Sequence, residues 1–217
     1  MRYIVILRTS PYIYLIPKKD LYTSFDLVAL EAVEPKIKIE AERFLKDKVK
    51  LGFKPDLVYC STRKRSRQTA ELVVEVPRET RDLNEIRFSM KDFITRDEFY
   101  SFKEAERLDQ ARRRFVRALI NDRLKESFRA VISRAEKIIE LIKKMKVNGV
   151  FFSHGFFMKV VEGLIKDPLI KQKPRRLLKY FDGPRETFYF NEGFRLQKSD
   201  SKLVFESYIR NKKEVYD

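Results

Sequence analysis

Short apolar runs alternate along this chain with longer stretches of helical periodicity. Residues 2–7, Arg-Tyr-Ile-Val-Ile-Leu, are β-branched and apolar with no polar alternation, the pattern of a strand buried on both faces of a parallel sheet. From Arg8 to about Glu34 no period is visible and prolines intervene at Pro11, Pro17 and Pro35, which reads as a loop with at most one short helix. Ile37, Ala41, Phe44, Leu45 and Val49 predict a helix over 36–49, ended by Gly52 and Pro55. A second strand is predicted over 56–60. After it, Ala70, Leu72 and Val73 lie in a helical setting that Ser61 or Thr62 would cap. Val74 to Pro77 reads as a brief third strand and Asp82 to Phe99 as irregular.

A very basic helical region follows over about 96–122. The spacing of Val131, Ile132, Ala135, Ile138, Ile139 and Ile142 then predicts an amphipathic helix over 127–145. A fourth strand is predicted over 147–152, broken by Ser153-His154-Gly155, with a helix over 156–165. Residues 186–190, 194–197 and 203–208 are further candidate strands. Alternating strands and helices predict an α/β fold: a three-layer α/β/α sandwich with a mainly parallel sheet. The expectation is a single domain spanning 1–217 with a small inserted helical lobe at about 90–126. No repeat, low-complexity tract or linker interrupts it.

Composition narrows the function. With 43% hydrophobic residues and 13% aromatics the chain has ample material for a core, which excludes general disorder. One Cys excludes an internal disulfide, and one Cys with one His argues against a zinc site, so neither metal nor cofactor is expected. No run of 18 apolar residues occurs and no secretory signal is evident, so the expectation is a cytoplasmic protein without a membrane partner. Lys plus Arg is 48 against 32 for Asp plus Glu, a net +16, which favours anionic partners. High charge with only four Gln and five Asn also matches proteins from hot environments.

Candidate chemistry gathers where strands end. Open α/β sheets bind ligands beyond the C-terminal ends of their strands. The first strand ends in Arg8-Thr9-Ser10, the second in Cys60-Ser61-Thr62-Arg63-Lys64-Arg65, and the fourth in Ser153-His154-Gly155 at a helix start. Guanidinium forks match phosphoryl oxygens, and a helix N-terminus adds N–H donors. A cysteine-phosphatase loop is excluded, because five residues after Cys60 would put its arginine at position 66, which is Ser66.

These segments resemble the histidine phosphatase superfamily, the phosphoglycerate-mutase-like proteins. Ile4-Val5-Ile6-Leu7-Arg8-Thr9-Ser10 is similar to the opening strand and its Arg-His-Gly motif. The run from Pro55 to Ala70 is similar to the second motif, Ser-Ser-Pro-Leu-x-Arg-Ala-x-Gln-Thr-Ala. Leu83-Asn84-Glu85 resembles the Leu-x-Glu segment, and Phe151-Phe152-Ser153-His154-Gly155 the final Ser-His-Gly. The resemblance implies that Arg8, Arg65 and His154 clamp phosphoryl oxygens and that Glu85 protonates the leaving group. It also implies a histidine nucleophile after Arg8, and here the sequence departs from the family: the position holds Thr9, followed by Ser10 in place of Gly, and His154 is the only histidine in the chain.

A Thr hydroxyl is a weak nucleophile unless a base takes its proton. The expectation is therefore a homologue that binds a phosphorylated small molecule or inorganic phosphate, with little or no phosphohistidine-based phosphatase or mutase activity. Two alternatives stand beside it. One is an active phosphomonoesterase with a changed nucleophile, His154 serving Thr9 as base. The other is a basic nucleic-acid-binding protein that reuses the fold through Arg112–Arg114, Arg117, Arg123, Lys171, Lys173, Arg175, Arg176 and Lys179.

Overall fold

The computed structural model describes residues 2–8, 53–182, 188, 192–199 and 202–209. Thr9, Ser10 and the expected helix over 36–49 lie outside the described residues. Six strands form one sheet in the order β3-β2-β4-β1-β5-β6: β1 is Arg2–Arg8, β2 Leu57–Ser61, β3 Arg78–Thr80, β4 Gly149–Ser153, β5 Gly193–Ser199 and β6 Lys202–Ile209. The first four in that order are parallel, and β5 and β6 complete the sheet antiparallel. Helices α1 (Lys64–Glu71), α2 (Arg96–Ser101), α3 (Glu104–Ile120), α4 (Phe128–Lys144) and α5 (Gly155–Lys166) cover its two faces.

Alternation along the central strands splits the core between the faces. Ile4, Ile6 and Phe151 point into a large cluster with α3, α4 and α5, including Phe115, Leu119, Val131, Ile138 and Phe157. Val5, Leu7, Val150, Phe152, Val58 and Cys60 point the other way, onto Ala70 of α1. Ile4 through Leu7 are all buried, as expected of a strand covered on both sides. The β1–β5 contact leaves no room beside Gly193: a Cβ there would lie 1.8 Å from the Ile6 carbonyl oxygen.

Three expected boundaries move, each for a local reason. The third strand is Arg78–Thr80, not Val74 to Pro77, which is a bend with Val76 78% exposed. Pro77 has no N–H to give a ladder, and β2 finds its partners one step later. The basic helical region is two helices, because Phe102 and Lys103 take extended and near-extended backbone between α2 and α3. Both helices lie between β3 and β4, and Phe99, Phe115 and Leu119 on them belong to the main core cluster. The fourth strand starts at Gly149, since Asn148 is occupied in ties to Tyr3, Asp56 and Leu57 at the other end of the sheet. Of the candidate strand at 186–190 only Phe188 is described, and it is not in a strand. The helix α4 stripe falls as the spacing predicts, with Ser127 accepting the Ala130 N–H as its cap.

Candidate functional site

The strand order puts β4 between β2 and β1, so three motif-bearing strand ends are neighbours. Arg8 is in register with Ser153, and Cys60 with Phe152. The residues that follow these pairs, Ser61 on β2 and His154 after β4, therefore emerge at one level of the sheet beside Arg8.

His154 is the N-cap of α5 and is 3% exposed. Its Nδ1 lies 3.1 Å from Arg65 Nη2, and its Nε2 lies 2.8 Å from Ser61 Oγ. Arg65 reaches it from the first turn of α1 and is itself 4% exposed. Helix α1 starts after Arg63, one residue later than a Thr62 cap and two later than a Ser61 cap requires; Ser61 Oγ instead accepts the Arg63 N–H at 3.4 Å. Ser66 holds this corner to β4: its Oγ accepts the Ser61 N–H at 3.1 Å and donates to the Phe152 carbonyl at 3.0 Å.

Arg8 approaches from the other side. A Cβ added to Gly155 would lie 3.8 Å from Arg8 Cδ and Nε, so the arginine side chain passes over the start of α5. One of its Nη atoms donates to the Phe188 carbonyl at 2.5 Å. The structure thus brings Arg8, Arg65 and His154 together at the C-terminal end of the parallel strands. Burial, and then the guanidinium groups of Arg65, Arg8, Arg63 and Arg134, hold the imidazole well below its ordinary value of 6.5.

Glu85 joins the site at the same helix end. Its carboxylate accepts the Phe157 N–H at 2.9 Å, the Phe156 N–H at 3.3 Å and the Ile86 N–H at 3.0 Å. It thereby caps the first turn of the helix that His154 opens. Burial raises its pKa and outweighs the opposing backbone bonds and the Arg65 charge, so its proton is held more tightly than in an ordinary carboxyl.

The segment carrying Glu85 is fixed by residues that sequence reading missed. Arg134 of α4 donates to the carbonyls of Asp82 and Asn84 at 3.1 and 2.8 Å. It also forks onto Glu126 at 2.8 and 3.0 Å, and its guanidinium lies 4.4 Å from the centroid of Phe157. Glu126 in turn accepts the Arg87 N–H at 3.0 Å. The only local signal for Arg134 is a charged residue flanking the apolar stripe of α4. Ser153 adds a bond to the Leu83 carbonyl at 2.7 Å, and Asn84 bonds the Thr62 backbone at 3.0 Å. Among the described residues no group of three or more His, Cys, Asp or Glu is placed to hold a metal ion. Cys60 is buried and its thiol is pushed up to about 12 by that burial and by the Glu79 and Glu71 charges, which leaves it inert.

The fold has solved counterparts. Bacillus stearothermophilus YhfR shares 15% identity over 94% of this chain and 95% of its own, with a TM-score of 0.61. A mycobacterial glucosyl-3-phosphoglycerate phosphatase complexed with VO3 shares 14% over 97% and 100%, with a TM-score of 0.60. A mutant phosphoserine phosphatase from Entamoeba histolytica, in complex with phosphoserine, shares 12% over 96% and 97%, with a TM-score of 0.56. At these identities the likeness is one of fold. No curated protein sequence matches the chain. The family model of the histidine phosphatase superfamily (branch 1), however, matches residues 40–175, well over half of the sequence. With the sheet order, the strand-end motifs and this match in agreement, the chain belongs to the histidine phosphatase superfamily, branch 1.

Proposed function

We propose that this protein binds a phosphorylated small molecule, or inorganic phosphate, between Arg8, Arg65 and His154, with little or no phosphohistidine-based phosphatase or mutase activity. The observation that carries the reading is the convergence of two arginines on the chain's one histidine at a helix N-terminus. Such a corner offers guanidinium forks and backbone donors to an anion in a poorly solvated place. The phosphoserine and VO3 complexes of proteins sharing the fold support an anion of phosphoryl shape. Glu85, whose pKa burial raises, is the residue that the family resemblance implies as the acid, so binding and acid parts remain. What the sequence lacks is the attacking imidazole, since Thr9 follows Arg8. The protein is proposed to act in the cytoplasm as one unit, the helices around 90–126 forming a lobe beside the anion site.

Calorimetry with phosphate, vanadate and phosphoserine tests the reading. Wild type should bind at least one of them, and Arg8→Ala or Arg65→Ala should weaken binding about 10- to 100-fold, the loss of a charge-assisted contact. Equal affinity in all three proteins overturns the site. Wild-type hydrolysis of p-nitrophenyl phosphate at rates ordinary for phosphatases, abolished by Thr9→Ala, overturns the inactive reading in favour of a changed nucleophile.

A further inference from the structure

Two hydrogen bonds specify the state of His154 more narrowly than burial does. A guanidinium carries donors and no acceptor. The 3.1 Å contact from Arg65 Nη2 is therefore a bond donated to Nδ1, which must be the bare nitrogen of the ring. In a neutral imidazole the proton then sits on Nε2, 2.8 Å from Ser61 Oγ, and is donated to it. Ser61 Oγ also receives the Arg63 N–H at 3.4 Å. Both of its acceptor positions are thus engaged, and its own proton is directed away from the imidazole.

We propose that Ser61 is a positioning residue for His154: with Arg65 it locks the ring as the neutral Nε2–H tautomer, making His154 a fixed hydrogen-bond donor and not a base. The functional meaning rests on the reading of His154 as part of the anion site. The polarity of the chain runs from Arg65 to His154 to Ser61, and it is set by the member that cannot accept. Ser61 is well placed for the task. It is completely buried, and the Ser66 bridge fixes it to β4, the strand that delivers His154.

The lock bears on the missing nucleophile. A serine 2.8 Å from a histidine resembles a base-activated nucleophile. Here the direction is inverted. To take a proton from Ser61 or Thr9, Nε2 would have to be bare, and the proton on Nδ1 would then face Arg65. Adding a second proton to the ring meets the same obstacle, and it is opposed by the charges around it: Arg8 from β1, Arg63 and Arg65 from the start of α1, and Arg134 from α4. Glu85, the carboxylate at this helix end, is engaged by three backbone N–H groups.

The chain's single histidine makes the test direct, since a long-range 1H–15N spectrum of uniformly labelled, tag-free protein shows one imidazole. Ligand-free wild type should show protonated Nε2 and bare Nδ1 from pH 8 to pH 5, with a slowly exchanging Nε2 proton. Ser61→Thr should keep this signature, and Ser61→Ala should speed exchange of that proton about tenfold or more, as loss of one hydrogen bond implies. A protonated Nδ1, or a wild-type ring that titrates near 6.5, overturns the lock without any variant, as does wild-type exchange in a folded Ser61→Ala. Inorganic phosphate separates this inference from the one it rests on. An intact lock in a wild type that binds no phosphate by calorimetry rejects the anion site and keeps the tautomer. A phosphate-responsive ring with protonated Nδ1 rejects the tautomer and keeps the site.

Discussion

The imidazole of His154 sits among guanidinium groups and out of water, and this has a measurable consequence for stability. Its folded pKa is depressed below 6.5 by burial first and the arginines second. On unfolding, the ring takes up a proton below that value, so the unfolded state gains as pH falls. Stability contributed through His154 is complete above about pH 7 and declines below 6.5 until the folded pKa is reached. Glu85, with a raised pKa, acts in the opposite sense: its contribution is complete below 4.5 and is lost as pH rises through its folded pKa. Urea denaturation at pH 7.5 and 5.5 separates them. Wild type should lose more than His154→Asn over this interval, by at most about 1.4 kcal/mol, one proton's linkage per unit below the unfolded value. Asn is chosen because it serves well at a helix N-cap. Equal losses would mean that His154 is protonated in the folded protein. The nucleophile position allows a second test on single residues. Thr9→His with Ser10→Gly should raise p-nitrophenyl phosphate turnover above wild type and produce an acid-labile phosphohistidine. Partial rescue is expected, since about 1 Å of misplacement costs about 10²-fold. A phosphohistidine in wild type would contradict the inactive reading.

Helix α5 shows how local elements assemble the site. His154 opens it, Arg8 crosses its start, and the Glu85 carboxylate receives the N–H groups of Phe156 and Phe157. Glu85→Ala would strand three N–H groups in a half-buried place and should cost about 1–3 kcal/mol of unfolding free energy. Glu85→Gln keeps one acceptor oxygen and should cost less. If the two variants unfold alike and as wild type, the carboxylate is not holding the helix. The same elements show what the sequence discloses. β1, β4 and the stripe of α4 are legible because burial imposes a period on them, and Arg8, Arg65 and His154 are legible because short motifs place them at strand ends. Ser61 as the partner of His154, and the Glu126–Arg134 pair that grips the Asp82–Arg87 segment, are not. Their partners lie tens of residues away in sequence, and no local period encodes a contact between β2 and the residue after β4. The third strand lies beyond the expected Val74 to Pro77 for a related reason: β-branched Val74 and Val76 look like a strand, but pairing to β2 begins only beyond Pro77.

Across the molecule, a net charge of +16 invites the question of nucleic acid, and the pairing of the basic residues bears on it. Arg112 pairs with Asp109, Arg113 with Asp182 and Arg114 with Glu98. Lys171 pairs with Glu136, and Arg176 and Lys179 share Asp167. Much of the basic array that would track a phosphate backbone is thus engaged by carboxylates of its own fold. A nucleic acid must displace these partners or be held by the remaining cations. The arginines of the proposed anion site differ: Arg65 is buried against His154 and not spread over a surface. Binding to duplex and single-stranded DNA and RNA should accordingly be no tighter than the non-specific range, about 10⁻⁴ to 10⁻⁶ M at physiological salt. Phosphoserine affinity should fall far less between 50 and 200 mM salt than that of a protein neutralising 6–10 phosphates, which loses about 10³- to 10⁵-fold. Fluorescence anisotropy with labelled oligonucleotides, beside calorimetry with phosphoserine at the same salts, makes the comparison. Nanomolar oligonucleotide binding at 150 mM salt, weakened by Arg113→Ala with Arg176→Ala and untouched by Arg65→Ala, would move the function from the strand ends to the basic helices.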